Sequence, residues 1–284
     1  MAELELKVLA DGFVFLEGPR WHQGRLWFSD MWGHAVHAMS EDGVCERIAE
    51  VPNRPSGLCF LPDGRLVVVS MADRRLLLVG ADGSVSEYAD LSALASGDTN
   101  DSICDRHGNV YVGNFGYDLF SGAEPALADL VRVAPDGSTS VAATGLNFPN
   151  GTVITPDGRT MICAETFGHC LTAFDLSADG KLSGRRVWAE LGERTPDGIC
   201  LDAAGGVWIA SFMTGEFVRV EEGGQVTDIA PCPGKCAVAC NLGGAEGKTL
   251  FALTYEGELE DIQSGARNAR IETCQVAVAS AGSP

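Results

Sequence analysis

The apolar positions of this chain come in short runs, wholly apolar or alternating with polar residues, cut at regular intervals by Asp-Gly and Gly-Gly pairs. That is the period of strands rather than helices. No stretch longer than Leu91 to Ser96 has a helical look. The runs also repeat. Pro55-Ser56-Gly57-Leu58 leads through Pro62-Asp63-Gly64 into Leu66-Val67-Val68-Val69-Ser70. Pro149-Asn150-Gly151-Thr152 leads through Pro156-Asp157-Gly158 into Thr160-Met161-Ile162-Cys163-Ala164. Pro196-Asp197-Gly198-Ile199 leads through Gly205-Gly206 into Val207-Trp208-Ile209-Ala210-Ser211. Weaker copies begin at Glu17-Gly18-Pro19 and Asn100-Asp101-Ser102, and the most divergent, a sixth, runs from Ala239-Cys240-Asn241 to Thr254.

Each copy reads strand, tight turn, strand, with Asp-Gly at the turn supplying the positive φ angles that two-residue hairpins require. A second hairpin of the same kind lies between copies: Arg74 to Val79 turns at Asp82-Gly83 into Ser84 to Tyr88, and Leu130 to Val133 turns at Asp136-Gly137 into Ser140 to Ala142. Four strands per unit, recurring six times with a period of about 45 residues, predict an all-β fold, a six-bladed β-propeller with four antiparallel strands per blade. A β-sandwich has no reason to repeat a hairpin pair in this way. One propeller domain is therefore expected over residues 1–284, with Leu4 to Leu9 and Arg270 to Ala279 completing the last blade.

Charge narrows the partners. The chain has 20 Lys and Arg against 39 Asp and Glu, a net of −19, which repels phosphate backbones and anionic lipid. Nucleic acid and membranes are thus poor partners, and no apolar stretch is long enough to span a bilayer. The first seven residues lack the basic and apolar regions of a signal peptide. Most of the ten cysteines, among them Cys59, Cys104, Cys163 and Cys200, sit inside apolar strand-like runs, where a free thiol packs as a small hydrophobe. A reduced, cytoplasmic chain is the expectation. Nothing in the sequence sets an oligomeric state.

The innermost strand of each blade lines a propeller's central channel, so equivalent residues at its start converge. Aligning the copies on their turns places Glu17, Ser56, Asn100, Asn150 and Asp197 at one position, and each carries a side-chain oxygen. Ser56 is the member that a loop leading into a strand explains best. Carboxylates and amides converging in a buried channel are costly without a partner, and a divalent cation offsets that cost. Two carboxylates and two amide carbonyls suit Ca²⁺, and also Mg²⁺ or Mn²⁺; with no His or Cys in the register, Zn²⁺ is less natural.

These residues also carry a family resemblance. Glu17-Gly18-Pro19-Arg20-Trp21, Phe148-Pro149-Asn150-Gly151 and Thr195-Pro196-Asp197-Gly198 resemble signatures of the gluconolactonase, regucalcin and luciferin-regenerating-enzyme family, as do Trp27-Phe28-Ser29-Asp30, Asn100-Asp101 and Ala164-Glu165-Thr166. Together, in order and at blade spacing, they cover nearly the whole chain. The resemblance implies a six-bladed propeller holding one divalent metal, Ca²⁺ foremost and Zn²⁺, Mn²⁺ or Fe²⁺ as variants. It implies Glu17, Asn150 and Asp197 as metal ligands and Asn100 as a further ligand or a water-mediated substrate contact. Relatives hydrolyse sugar lactones, other lactones or organophosphates, so the expected substrate is a small molecule. One position departs: sugar-lactone members tend to carry an arginine two residues before the asparagine, where this chain has Asp98.

The expected chemistry is metal-assisted lactone hydrolysis, with the cation polarising the carbonyl and Asp197 as catalytic base, because the family places an aspartate there. Asp101 and Glu165 are the outer candidates for that role. Asp98, Asp101, Glu165 and the aromatics Trp32, Phe115, Phe148, Phe167 and Phe212 are candidate pocket residues, the aromatics making the pocket more apolar than a sugar requires. Phosphotriester hydrolysis on the same site, a metal-free strictosidine-synthase-like condensation and a non-catalytic binding propeller are the competing functions. Cys232, Cys236 and Cys240 are expected to be structural, His34 and His37 to be packing or surface residues. No Gly-x-Ser-x-Gly elbow marks a serine hydrolase.

Overall fold

A computed structural model describes residues 2–282. Six antiparallel sheets of four strands stand around a central channel, one of them extended by a fifth strand. In chain order they form blade 1 (16–50), blade 2 (55–90), blade 3 (99–146), blade 4 (149–190), blade 5 (196–231) and blade 6 (236–275). The inner strands are Leu16–His22, Pro55–Phe60, Thr99–Cys104, Pro149–Ile154, Pro196–Leu201 and Cys236–Gly243, and each packs against the next, the sixth closing onto the first.

Burial explains why so many runs are wholly apolar rather than alternating. The second strands of blades 2, 3 and 5, Leu66–Ser70, Val110–Asn114 and Val207–Ser211, are buried at every residue, because neighbouring blades cover both of their faces. Residues buried on both faces have no polar side to show. The outer strand of blade 2, Val85–Asp90, faces water and is mostly exposed.

The ring closes through its ends. Lys7–Phe13 forms the outer strand of blade 6, antiparallel to Ala269–Gln275, so that the sheet is built from both termini. The closing strands lie a few residues from the segments expected, and residues 2–3 do something the pattern did not suggest. They run parallel to Val226–Pro231 and widen blade 5. Leu91 to Ser96 is a turn; the single α-helix among the described residues is Leu259–Gln263, held by a capping box between Glu258 and Asp261.

The Asp-Gly turns also differ from the two-residue hairpins expected. At Leu61 to Gly64 the Gly64 amide donates to the Leu61 carbonyl while only Gly64, at φ +85°, has a positive angle. Pro62 presets the first turn residue in the right-handed region, which gives a type I turn closed by a left-handed glycine. The Asp63 carboxylate then accepts from the Arg65 amide at 3.1 Å.

Each inner strand carries one extra residue relative to its partner, at the same height. The pairing shifts between Glu17 and Arg20, Pro55 and Leu58, Thr99 and Ser102, Pro149 and Thr152, Pro196 and Ile199, and Ala237 and Ala239. A bulge re-aims side chains, and here a ring of them sits where the inner strands begin. The bulges also fix the sixth copy's register. Its inner strand starts at Cys236, not at Ala239, and because Ala239 lies opposite Gly198 as Gly198 lies opposite Gly151, Val238 takes the position held elsewhere by Glu17, Ser56, Asn100, Asn150 and Asp197.

Candidate active site

Four of those five oxygen-bearing side chains, Glu17, Asn100, Asn150 and Asp197, line the floor of a cavity of about 210 Å³ at the mouth of the channel. All four are buried. Ser56 sits in the same ring and is a working member of it: its hydroxyl donates to Asn100 Oδ1 at 3.0 Å. That bond orients the amide so that Asn100 Nδ2 donates to Asn150 Oδ1, also at 3.0 Å. Asn150 Nδ2 in turn donates to Thr166 Oγ1 at 3.2 Å, and Thr166 donates to the Pro196 carbonyl at 2.7 Å. Thr166, which the sequence offered only as the end of the string Ala164-Glu165-Thr166, follows the second strand of blade 4, and its counterparts Met31, Met71, Phe115 and Phe212 carry no hydroxyl.

The carboxylates are less well provided for. Glu17 Oε2, Asp197 Oδ1 and Asp101 Oδ1 are buried without a hydrogen-bond partner. Burial is the main reason that the Glu17 carboxyl is pushed well above its usual range, with repulsion from Asp197 and Asp101 adding to it. Asp197 is pushed well up by burial and then by Asp101, and the Asn150 amide offsets part of this. Burial likewise raises Asp101, against the pull of the nearby Arg20 guanidinium. Buried like charges without donors are what a cation relieves. Among the described residues no three His, Cys, Asp or Glu side chains by themselves form a metal cluster. The floor instead mixes carboxylates with amide oxygens, and Asn150 Oδ1 keeps a second lone pair beyond the bond it accepts. Such an oxygen-only set fits a hard divalent ion.

Above the floor the walls are aromatic. Phe115 stacks on Phe148 with centroids 4.6 Å apart, Phe167 meets the edge of Phe148 at 5.0 Å, and Phe120 packs against both Phe115 and Trp32. Trp32, Phe115, Phe148, Phe167 and Phe212 all line the cavity, together with Phe15, Phe120 and Ile262. Phe120 belongs to a short 3-10 turn, Leu119–Ser121, and Ile262 to the lone helix. Both come from loops outside the blade repeat, so no periodicity could point to them.

Three sequence candidates lie outside the cavity wall. Glu165 accepts from the Asn147 amide at 2.7 Å, the Thr172 hydroxyl at 2.5 Å and Arg185 at 2.9 Å, which leaves it nothing to offer a substrate. It ties together strands within blade 4. Asp98 is turned to Arg54, Nη2 to Oδ2 2.6 Å. Asp101 is buried beneath the floor, at the bulge position that is glycine in blades 1, 2, 4 and 5, and contributes charge rather than contact. His37 packs between Phe13 and Phe28, and His34 caps a turn at φ +54°. All ten cysteines are free, and Cys240 lies 3.8 Å from Cys200 inside the packing between blades 5 and 6.

A second cavity, of about 240 Å³, opens at the far end of the channel and is lined by Arg20, Trp21, Cys59, Cys200 and Asn241 among others, with no carboxylate. Arg20 donates to the Ser102 carbonyl at 2.7 Å. The acidic chemistry is thus confined to one end.

A β-propeller with an acidic, amide-lined pocket at one mouth of its channel is the class that fold and site define. The profile of the SMP-30/gluconolactonase/LRE-like family matches residues 15–256, and the chain belongs to that family. It is 26% identical over 249 residues to a pentonolactonase of Haloferax volcanii, covering 85% of this chain and 82% of that one. A gluconolactonase from Xanthomonas campestris superposes with a TM-score of 0.76 at 26% identity, over 96% of this chain and 89% of the other. A calcium-binding regucalcin from Agrobacterium tumefaciens superposes with a TM-score of 0.84 at 22% identity, over 100% and 98%. Among the described residues no helix is long and apolar enough to cross a membrane.

Proposed function

We propose that the protein hydrolyses a small lactone at the channel mouth, with one divalent cation held by Glu17, Asn150 and Asp197 and Asn100 completing the set. The observation that carries this reading is the pair of partnerless buried oxygens, Glu17 Oε2 and Asp197 Oδ1, beside two amides under an apolar pocket. The lactonase names of two relatives support the reaction class, and the calcium-binding relative supports the cation. When bound, the cation supplies Lewis acidity toward an ester carbonyl and charge balance for the floor.

The protein's own residues do the rest. The aromatic walls seat the substrate and exclude bulk water, which strengthens every electrostatic contact at the floor. The Ser56–Asn100–Asn150–Thr166 chain fixes the amides before substrate arrives, so no reorganisation is needed during reaction. Asp197 Oδ1 is the proton acceptor: a water oxygen bonds to the carbonyl carbon as Asp197 takes its proton, the ring C–O bond breaks, and the proton passes to the leaving alkoxide. The product is the open-chain hydroxy acid. Among the described residues no group donates to Asp197 Oδ1, so that oxygen is free to take the proton.

The test is metal content after purification without added metal, followed by lactone hydrolysis before and after chelation and on return of Ca²⁺, Mn²⁺, Zn²⁺ or Fe²⁺. Activity that falls and returns with one bound ion supports the reading. A folded, metal-free protein that gains no activity with any ion defeats it. Diisopropyl fluorophosphate in parallel separates the phosphotriester alternative, which would use the same floor.

A further inference from the structure

The bulge register defines a second ring of equivalent residues, two positions before the floor ring and therefore nearer the solvent: Phe15, Arg54, Asp98, Phe148, Thr195 and Cys236. Backbone pairing confirms the equivalence. The amides of Met31, Met71, Phe115, Thr166 and Phe212 donate to the carbonyls of the first five in turn. This ring is the rim through which a substrate's substituents must pass.

Its polar members are already engaged. Asp98 holds the Arg54 guanidinium at 2.6 Å, and the carbon of the same guanidinium lies over the Phe120 ring at 4.6 Å and the Trp32 ring at 5.1 Å from their centroids. Arg54 reaches this position from a left-handed backbone, φ +66°. Thr195 Oγ1 accepts from the Met213 amide at 2.9 Å. What the rim contributes to the cavity lining beyond Thr195 is the apolar side chains of Phe15 and Phe148.

On the reading that the site is a lactonase, we propose that it selects lactones carrying an alkyl or aryl substituent over polyhydroxylated ones, and that Asp98 is a specificity-determining residue. Asp98 acts through Arg54. By drawing the guanidinium over Trp32 and Phe120, it holds the rim's one cationic donor away from the cavity, whose lining includes those two rings but neither Arg54 nor Asp98. Hydroxyls entering such a pocket lose their water and find few partners, a penalty that an alkyl chain does not incur.

The experiment compares γ-nonalactone and dihydrocoumarin with glucono-δ-lactone, each with Ca²⁺, Mn²⁺ and Zn²⁺, in wild type, Asp98→Asn and Asp98→Ala. Wild type is expected to favour the apolar lactones in kcat/KM by about 100-fold or more. In the Asp98 variants that preference should shrink at least about tenfold, through a lower KM for the hydroxylated lactone. A merely structural role would instead depress kcat on all three substrates together. Should the Asp98 variants fail to fold, Phe120→Ser removes one of the rings that hold the guanidinium and should move the preference the same way. A wild type that favours glucono-δ-lactone overturns the proposal and leaves the lactonase reading standing. An unchanged KM ratio in variants that fold removes Asp98 from specificity. Hydrolysis of none of the three with any ion overturns the lactonase reading itself, and calorimetry with an alkyl lactam and gluconolactam then shows by binding alone whether the pocket prefers apolar rings.

Discussion

At the scale of single residues, the floor is governed by charges that have nowhere to go. Glu17 and Asp197 have ordinary values of 4.5 and 3.8, and both are pushed well above them when no cation is bound. The folded, chelated protein therefore keeps protons that the unfolded chain has released, and its stability falls as pH rises through the window above those ordinary values. A divalent ion needs both groups ionised, so its affinity rises over the same window. Thermal unfolding in EDTA should give a Tm that declines with pH in this range, and a Ca²⁺-induced increase in Tm that grows. A chelated Tm that is flat with pH would contradict the electrostatics of the floor. Asp197→Asn keeps the shape but loses the base, and kcat/KM should drop by about 10³-fold; turnover near wild type would remove Asp197 from the mechanism. Glu165→Ala should behave differently, because Glu165 satisfies an amide, a hydroxyl and Arg185 in blade 4. It should lower stability by about 2 kcal/mol and leave KM unaltered. The ligand candidates were legible as oxygens at one repeat position. The roles of Asp98, Glu165 and Thr166 were not, because what decides them is which neighbour they meet across a blade or a rim.

At the scale of the element, each inner strand is a short ribbon with a bulge, and glycine at the bulge in blades 1, 2, 4 and 5 lets adjacent inner strands close the ring. A Cβ on Gly151 would stand 2.5 Å from the Ile199 amide and 2.6 Å from the Asp197 carbonyl, and Gly57 is similarly confined by Ser102 and Asp101. These contacts are backbone and do not yield. Gly151→Ala should cost about 3 kcal/mol of stability and, by shifting the Asp197 strand, weaken cation binding measured by calorimetry. An alanine variant as stable as wild type would mean the ring has slack that its geometry denies. The repeat strings made these strands visible, since Pro-x-Gly before an apolar run marks those of blades 2, 4 and 5 and the others follow at the same spacing. The bulges were invisible, because one residue more or less in pairing leaves no mark on a single strand; it appears only against the partner.

At the scale of the whole molecule, the propeller is a closed ring whose last sheet is shared between the chain's two ends. Removing residues 2–13 deletes the outer strand of blade 6 and the added strand of blade 5. It exposes the edge of Ala269–Gln275 and the apolar packing beneath it, and urea denaturation should lose its single cooperative transition or shift well below that of the full chain. A truncated chain as stable as the parent would show that closure by the N-terminal strand is dispensable. The sequence by itself determined the repeat, and with it the number of blades, the all-β class and the oxygen-bearing floor. Strand period, turn chemistry and register are local properties written at fixed spacing. Only the tertiary structure decided which of those oxygens lack partners, that Asp98 spends its charge on Arg54, and that loop residues such as Phe120 and Ile262 complete the pocket. Those facts depend on side chains from distant blades meeting around one axis, and no spacing along a chain encodes a distance across a ring.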